Sequence, residues 1–200
     1  LLKQADGWAR VETGGPAMSG FTLTPFQTEK LEYFFKFFEP DDQNNLVHDS
    51  LDRFMKRILE FTGWERDSPD ARECREVHEA FFEILFDKAG DPEQGRATKV
   101  TLEDWLGLWS NLIPGCKGLY NFPIWMRLLP KTLFRIIDRD QNGLVTEDEL
   151  REFYKGMVNL DPREAEGNAK LAYAQMTDVS SDHCRYEACD SSLKLNLPSP

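Results

Sequence analysis

The chain lacks any apolar run near the roughly 18 residues of a membrane span, and among its 200 residues it has only three histidines and four cysteines. Positive charge is also scarce: 24 Lys and Arg stand against 35 Asp and Glu, for a net charge of −11. That balance excludes a nucleic-acid surface and attraction to anionic lipid, and it favours cation binding. Cys74, Cys116, Cys184 and Cys189 show neither paired nor zinc-like spacing. They read as free thiols in a reducing compartment, so a cytoplasmic protein is expected. His48, His78 and His183 join no catalytic grouping, and the sequence holds no Ser-His-Asp constellation, phosphate-cradling glycine loop or metal-hydrolase motif. The expectation is a protein without catalysis. The first 17 residues have no apolar h-region and no periodicity, and Met18 follows them. Residues 1–20 therefore read as a leader or flexible arm.

What the chain does have is oxygen at fixed spacing. In IIDRDQNGLVTEDEL, residues 136–150, the residues Asp138, Asp140, Asn142, Thr146 and Glu149 take positions 1, 3, 5, 9 and 12 of a loop, with Gly143 at position 6. This is the EF-hand calcium-loop pattern. Ca²⁺ is a hard cation that collects about six to eight oxygens, so a short loop must wrap it and turn alternate side chains inward. Gly143 supplies the positive φ at which the chain reverses. Leu144 at position 7 lends its backbone carbonyl, Thr146 acts directly or through water, and Glu149 closes the site with both oxygens. Val145 at position 8 suits a short β-bridge to a neighbouring loop. Ca²⁺ is the expected ion, with Mg²⁺ as its competitor.

The helix after this loop carries an apolar stripe, Leu150, Phe153, Tyr154, Met157 and Val158, at the spacing of one buried face. The same stripe occurs as Leu51, Phe54, Met55, Ile58 and Leu59, and again as Trp105, Leu108, Trp109, Leu112 and Ile113. Each has an entering helix before it: Phe26 to Phe38, Phe81 to Phe86, and a segment ending in Leu133, Phe134 and Ile137. Thr24, Pro25 and Gln27 offer the first of these a capping box. Helix, loop and helix repeat.

Aligning the stripes shows which loops have lost the chemistry. In the first, Glu39 to Ser50, a neutral serine replaces the closing glutamate, Asn44 replaces the turn glycine, and only Asp41 is a well-placed carboxylate. Metal binding is not expected there. In the second, Asp104 takes the closing slot, but Gly95 and Ala97 fall where ligands belong. A solvated acidic loop is expected, with an irregular site using Asp87, Asp91 or Glu93 as the alternative. A fourth hand should start at Asp161 and Pro162 and run through Leu171 and Met176. Its loop, counted from Thr177, ends on Ala188 instead of a carboxylate, and no exiting stripe follows. The stripe from Leu150 to Val158 is therefore expected to lack part of its cover and to leave a C-terminal apolar groove for a protein target.

From about Phe21 to Asp178 the chain resembles the invertebrate sarcoplasmic calcium-binding protein and calexcitin family. FFKFFEP, VTLEDWLGLW, FPIWM, DRDQNGLVTEDEL and LAYAQMTD carry the resemblance. It implies an all-α, compact fold of four paired EF-hand units with the fourth degenerate or truncated, and a cytosolic calcium buffer or signalling sensor. Metal ligation carries over to Asp138, Asp140, Asn142, Leu144, Thr146 and Glu149. The expected division is an N-terminal pair over 21–115, a C-terminal pair over 116–190 and a tail over 191–200. Two other readings remain: a calcium-triggered, photoprotein-like oxygenase with an aromatic-lined cavity, and a calcium-independent interaction module.

Overall fold

A computed structural model describes residues 22–90, 95–115, 124–176 and 184–185. Helix α1 (Pro25–Phe37) starts at Thr24, whose hydroxyl accepts the Gln27 N–H while the Gln27 side chain accepts the Thr24 N–H. Two otherwise orphaned amides are satisfied this way, and Pro25 loses nothing at the first helical position. Strand β1 (Asn45–Val47) leads into α2 (His48–Thr62), which ends on Gly63 in the left-handed region at φ 73°. Helix α3 (Pro69–Ala89) is capped by Ser68 and contains the Phe81–Phe86 segment in its last turns. Strand β2 (Lys99–Thr101) and α4 (Leu102–Leu112) follow, with Ile113 in a terminal 3₁₀ turn. Next come α5 (Ile124–Ile137), β3 (Leu144–Val145), α6 (Glu147–Gly156), α7 (Pro162–Met176) and β4 (Cys184–Arg185).

The loops join in two antiparallel bridges. Leu46 stands opposite Val100, and Val145 stands opposite Cys184. Leu46, Val100 and Val145 are the eighth residues of their loops, and Cys184 is the eighth counted from Thr177. The fourth loop thus keeps the bridge register although it has no closing carboxylate.

The core grows from Trp105, which is fully buried and donates its indole N–H to the Leu31 carbonyl at 2.9 Å. Phe34, Phe35, Phe38, Phe81 and Trp109 surround it with ring centroids 5.3–6.0 Å away. Beside them His78 is buried against Phe38 and Phe54, with Nδ1 2.8 Å from the Cys74 carbonyl. Burial pushes the Cys74 thiol up to about 12, so this free cysteine is chemically quiet.

The expectation of an open groove along the Leu150 stripe is corrected by the structure. Leu150, Phe153 and Met157 are buried, and Tyr154 and Val158 are half-buried. Among the described residues, cover comes from α7 and from the first hand. Helix α7 lies close on α6 through Ala165 and Ala169, both fully buried, while Leu171 stays 60% exposed. From the first hand, Phe37 and Phe61 bring their rings to 6.1 and 6.2 Å from Phe153. Ion pairs of Glu73 with Lys131 and Arg135, and of Asp70 with Arg135, tie α3 to α5.

Burial lowers the His78 imidazole from its ordinary 6.5 to about 4. Between those values the unfolded chain takes up a proton that the folded chain refuses, so stability falls as pH drops through this window. Relative to His78→Leu, the wild-type protein should lose about 3 kcal/mol between pH 6.5 and pH 4, read from urea denaturation at each pH. A constant difference would place the proton elsewhere.

Candidate metal centre

The loop from Asp138 to Glu149 is built by its own side chains acting on its own backbone. Asp138, the last residue reached by α5, is buried, and its carboxylate accepts the N–H groups of Asn142 at 3.1 Å and Gly143 at 3.0 Å. Asp140 accepts from the same Asn142 amide at 3.1 Å and from the Asn142 side chain at 2.8 Å. Asn142 in turn accepts the Leu144 N–H at 2.8 Å. Gly143 adopts φ 80°, the reversal expected of it. Gln141 is also left-handed, at φ 58°, and nothing in the residue type announced this.

Glu149 closes the loop. One carboxylate oxygen accepts the Arg139 N–H at 3.0 Å, and the other accepts both the N–H and the hydroxyl of Thr146 at 3.0 and 2.9 Å. The Thr146 hydroxyl also accepts the Glu149 N–H at 3.2 Å, completing a capping box that starts α6. Thr146, read from the sequence as a ligand, is here the residue that orients the closing carboxylate. Oxygens of Asp138, Asp140 and Glu149 lie within 4.8 Å of one another. Burial raises the Asp138 carboxyl above its ordinary range. The neighbouring Asp140 and Glu149 add to that rise, while the Gly143 and Asn142 amides oppose it. Such a cluster carries a repulsion that a divalent cation would remove. The donor set is all oxygen, as hard cations require, and it fits Ca²⁺. A cleft of about 410 Å³, bounded by Trp64, Arg135, Asp138 and Gly143, opens beside the loop.

The first loop is closed by arginine. The Glu39 carboxylate turns away to Arg57 at 2.6 Å, and the Arg53 guanidinium bonds the Glu39 carbonyl at 2.8 Å and the Ser50 hydroxyl at 2.9 Å. Asp41 is spent on the Gln43 and Asn45 amides at 3.0 and 2.8 Å. Asn44 takes the glycine role at φ 56°, a conformation asparagine tolerates. In the second loop Asp104 accepts the Thr101 N–H and hydroxyl at 2.9 and 2.7 Å, the same box as in the third. Asp87 is exposed, and Asp91 and Glu93 lie outside the described residues. Among the described residues, the Asp138 cluster is the acidic group with metal-binding geometry. His48 stacks on Phe86 at 4.3 Å, His78 is core, and His183 lies outside the described residues.

Comparison with known proteins agrees with this geometry. No protein-family model matches the chain. Sarcoplasmic calcium-binding proteins I, III and IV of Branchiostoma lanceolatum are 22% identical to it over 134 residues, 66% of this chain and 71% of theirs. A Streptomyces coelicolor calcium-binding protein, solved as a basis for prokaryotic calcium-mediated regulation, superposes with a TM-score of 0.58 at 15% identity. It covers 82% of this chain and 94% of its own. The magnesium-loaded apo form of the ctenophore photoprotein berovin, whose three calcium-binding loops all bind magnesium, gives 0.54 at 18% identity. That match covers 82% and 83% of the two chains.

Because Arg53 already holds the closing slot of the first loop, Ser50→Glu should pair with that guanidinium instead of creating a metal site. Calorimetric titration of Ser50→Glu with calcium should give the same stoichiometry as the wild-type chain; an added site would show that the arginine yields to the ion. In sequence the chain is similar to the sarcoplasmic calcium-binding proteins, and its fold is that of the EF-hand proteins.

Proposed function

We propose that the chain binds one calcium ion in the Asp138–Glu149 loop and works as a cytoplasmic calcium buffer. The observation that carries this reading is the approach of the Asp138, Asp140 and Glu149 oxygens to within 4.8 Å, with each carboxylate held by backbone amides. Asp138, Asp140, Asn142 and Glu149 supply side-chain oxygens, Leu144 its carbonyl, and Thr146 holds Glu149 or bridges through water. Mg²⁺ competes weakly, because it demands a near-ideal octahedron and gives up its waters reluctantly. The paired units over 21–115 and 116–190 are the frame of this reading: in the first pair the Glu39–Ser50 loop is held by Arg53 and Arg57, and the second pair carries the site.

A noncatalytic role is favoured over light emission by the packing of the aromatic interior. Trp105, Phe35, Phe38 and Phe81 are fully buried and in ring contact, so the interior around Trp105 is occupied by side chains. Buffering is favoured over sensing because Leu150, Phe153 and Met157 are already covered. A sensor that docks a protein target at this C-terminal face would have to move Phe37 and Phe61 off Phe153 when calcium binds, and hydrogen exchange over residues 147–158 with and without calcium reads that movement.

Glu149→Gln can keep the Thr146 bonds on its one amide oxygen but loses the acceptor for the Arg139 N–H and the closing charge, so calcium binding should weaken by about 2–4 kcal/mol. Glu147→Gln, which removes the same charge from loop position 10, should cost less than about 1 kcal/mol. Calorimetry with both variants tests the assignment, and equal losses would mean that bulk electrostatics governs the loop.

A further inference from the structure

Phe61 sits in the last turn of α2, the exiting helix of the first hand, yet its ring meets both the loop and the exiting helix of the third. On one side the Arg139 guanidinium lies 5.2 Å from the ring centroid. On another, Phe153 of α6 meets the ring edge to face at 6.2 Å. The closest approach is to Gly156, where an added Cβ would stand 2.6 Å from Phe61 Cδ2 and 2.8 Å from Cε2. Real Cβ atoms do not come so near a ring carbon, so the absence of a side chain at 156 makes the seat. Gly107, within α4 of the second hand, shows the contrast, because a Cβ there would meet nothing within 4 Å.

These contacts converge on the closing carboxylate. Arg139 stacks on Phe61, and its N–H donates to Glu149 at 3.0 Å. Gly156 and Phe153 belong to α6, the helix that Glu149 begins. We infer that Phe61 is a positioning residue for the metal loop: by gripping Arg139 and α6 together it fixes the distance between the first and last ligands of the loop. The inference rests on the calcium reading above. Its energetic basis is ordinary, a stacked cation and an edge-to-face aromatic pair, each of which contributes modestly at a half-exposed site. The effect on binding comes through preorganisation, since a loop that is already assembled does not have to be ordered by the ion.

The test is a double-mutant cycle on the full chain, read by calcium calorimetry and by the calcium dissociation rate after mixing with chelator. Phe61→Ala should weaken binding about tenfold, mainly through faster release. Phe61→Tyr, which keeps the ring, should stay within about twofold of wild type, while Phe61→Leu, which keeps apolar bulk without the π face, should follow Phe61→Ala in direction. Gly156→Ala in the wild-type background should expel the ring and weaken binding to a similar degree. In the Phe61→Ala background the same change should have almost no further effect, because the clash has no partner. Without calcium, Phe61→Ala should also speed exchange of the Arg139 amide, a readout independent of metal.

Wild-type binding with unchanged affinity and release in Phe61→Ala would overturn the positioning role and leave the calcium reading standing. Additive effects of the two substitutions would overturn it equally, by showing that Gly156 and Phe61 act separately. A wild-type chain with no calcium isotherm would remove the calcium reading and the inference with it. Leu51→Ala, a loss of packing at the other end of α2, controls for general destabilisation and should leave the release rate unchanged.

Discussion

The antiparallel bridge at the eighth loop position is the constraint on which the other contacts depend. Each exiting helix carries an apolar stripe that a lone helix-loop-helix cannot bury, and the bridge brings two such helices to a shared register. With Leu46 opposite Val100, the first two stripes share one aromatic core, Phe54 and Trp105 both meeting Phe38; with Val145 opposite Cys184, the third loop is held from its far side. The bridge needs only backbone groups and an apolar side chain. It therefore persists in the first loop, where arginine contacts stand in place of metal ligands.

Two loops answer the same electrostatic problem in different ways. An EF-hand loop gathers carbonyl and carboxylate oxygens around a small volume, and something positive must stand near them. In the third loop three carboxylates approach one another, and burial, with Asp140 and Glu149 beside it, raises Asp138, which leaves the positive charge to come from outside. In the first, Arg53 and Arg57 fold back from α2 onto Glu39 and Ser50. An arginine is well suited to this, because its planar fork reaches a carbonyl and a hydroxyl at once and its charge does not titrate.

The parts of this arrangement that were legible in the sequence are those set by local chemistry. Asp138, Asp140, Asn142, Gly143 and Glu149 can be read because each slot of a twelve-residue loop demands a residue type, and the stripes can be read because helical periodicity is local. Thr146 was harder: an oxygen at position 9 serves a metal or an N-cap equally well, and the structure uses it on Glu149. The closure of the first loop was not legible, since Arg53 and Arg57 lie on the exposed side of an ordinary-looking helix until the chain turns back on itself. The cover of the third stripe was missed for a similar reason. It was sought in the exiting helix of the fourth hand, whereas the entering helix α7 and, from the first hand, Phe37 and Phe61 lie against it.

A hand that carries its own cation is indifferent to how much free calcium surrounds it. The Arg53 and Arg57 contacts are made within a span of about twenty residues, from Phe37 to Arg57, and need no ion and no distant partner. Such local contacts form early because little loop entropy opposes them. The first loop therefore closes without an ion, and the helices on either side of it carry Phe37 and Phe61 to Phe153. What looks like decay in the first loop leaves the third hand a contact surface whose shape does not depend on metal.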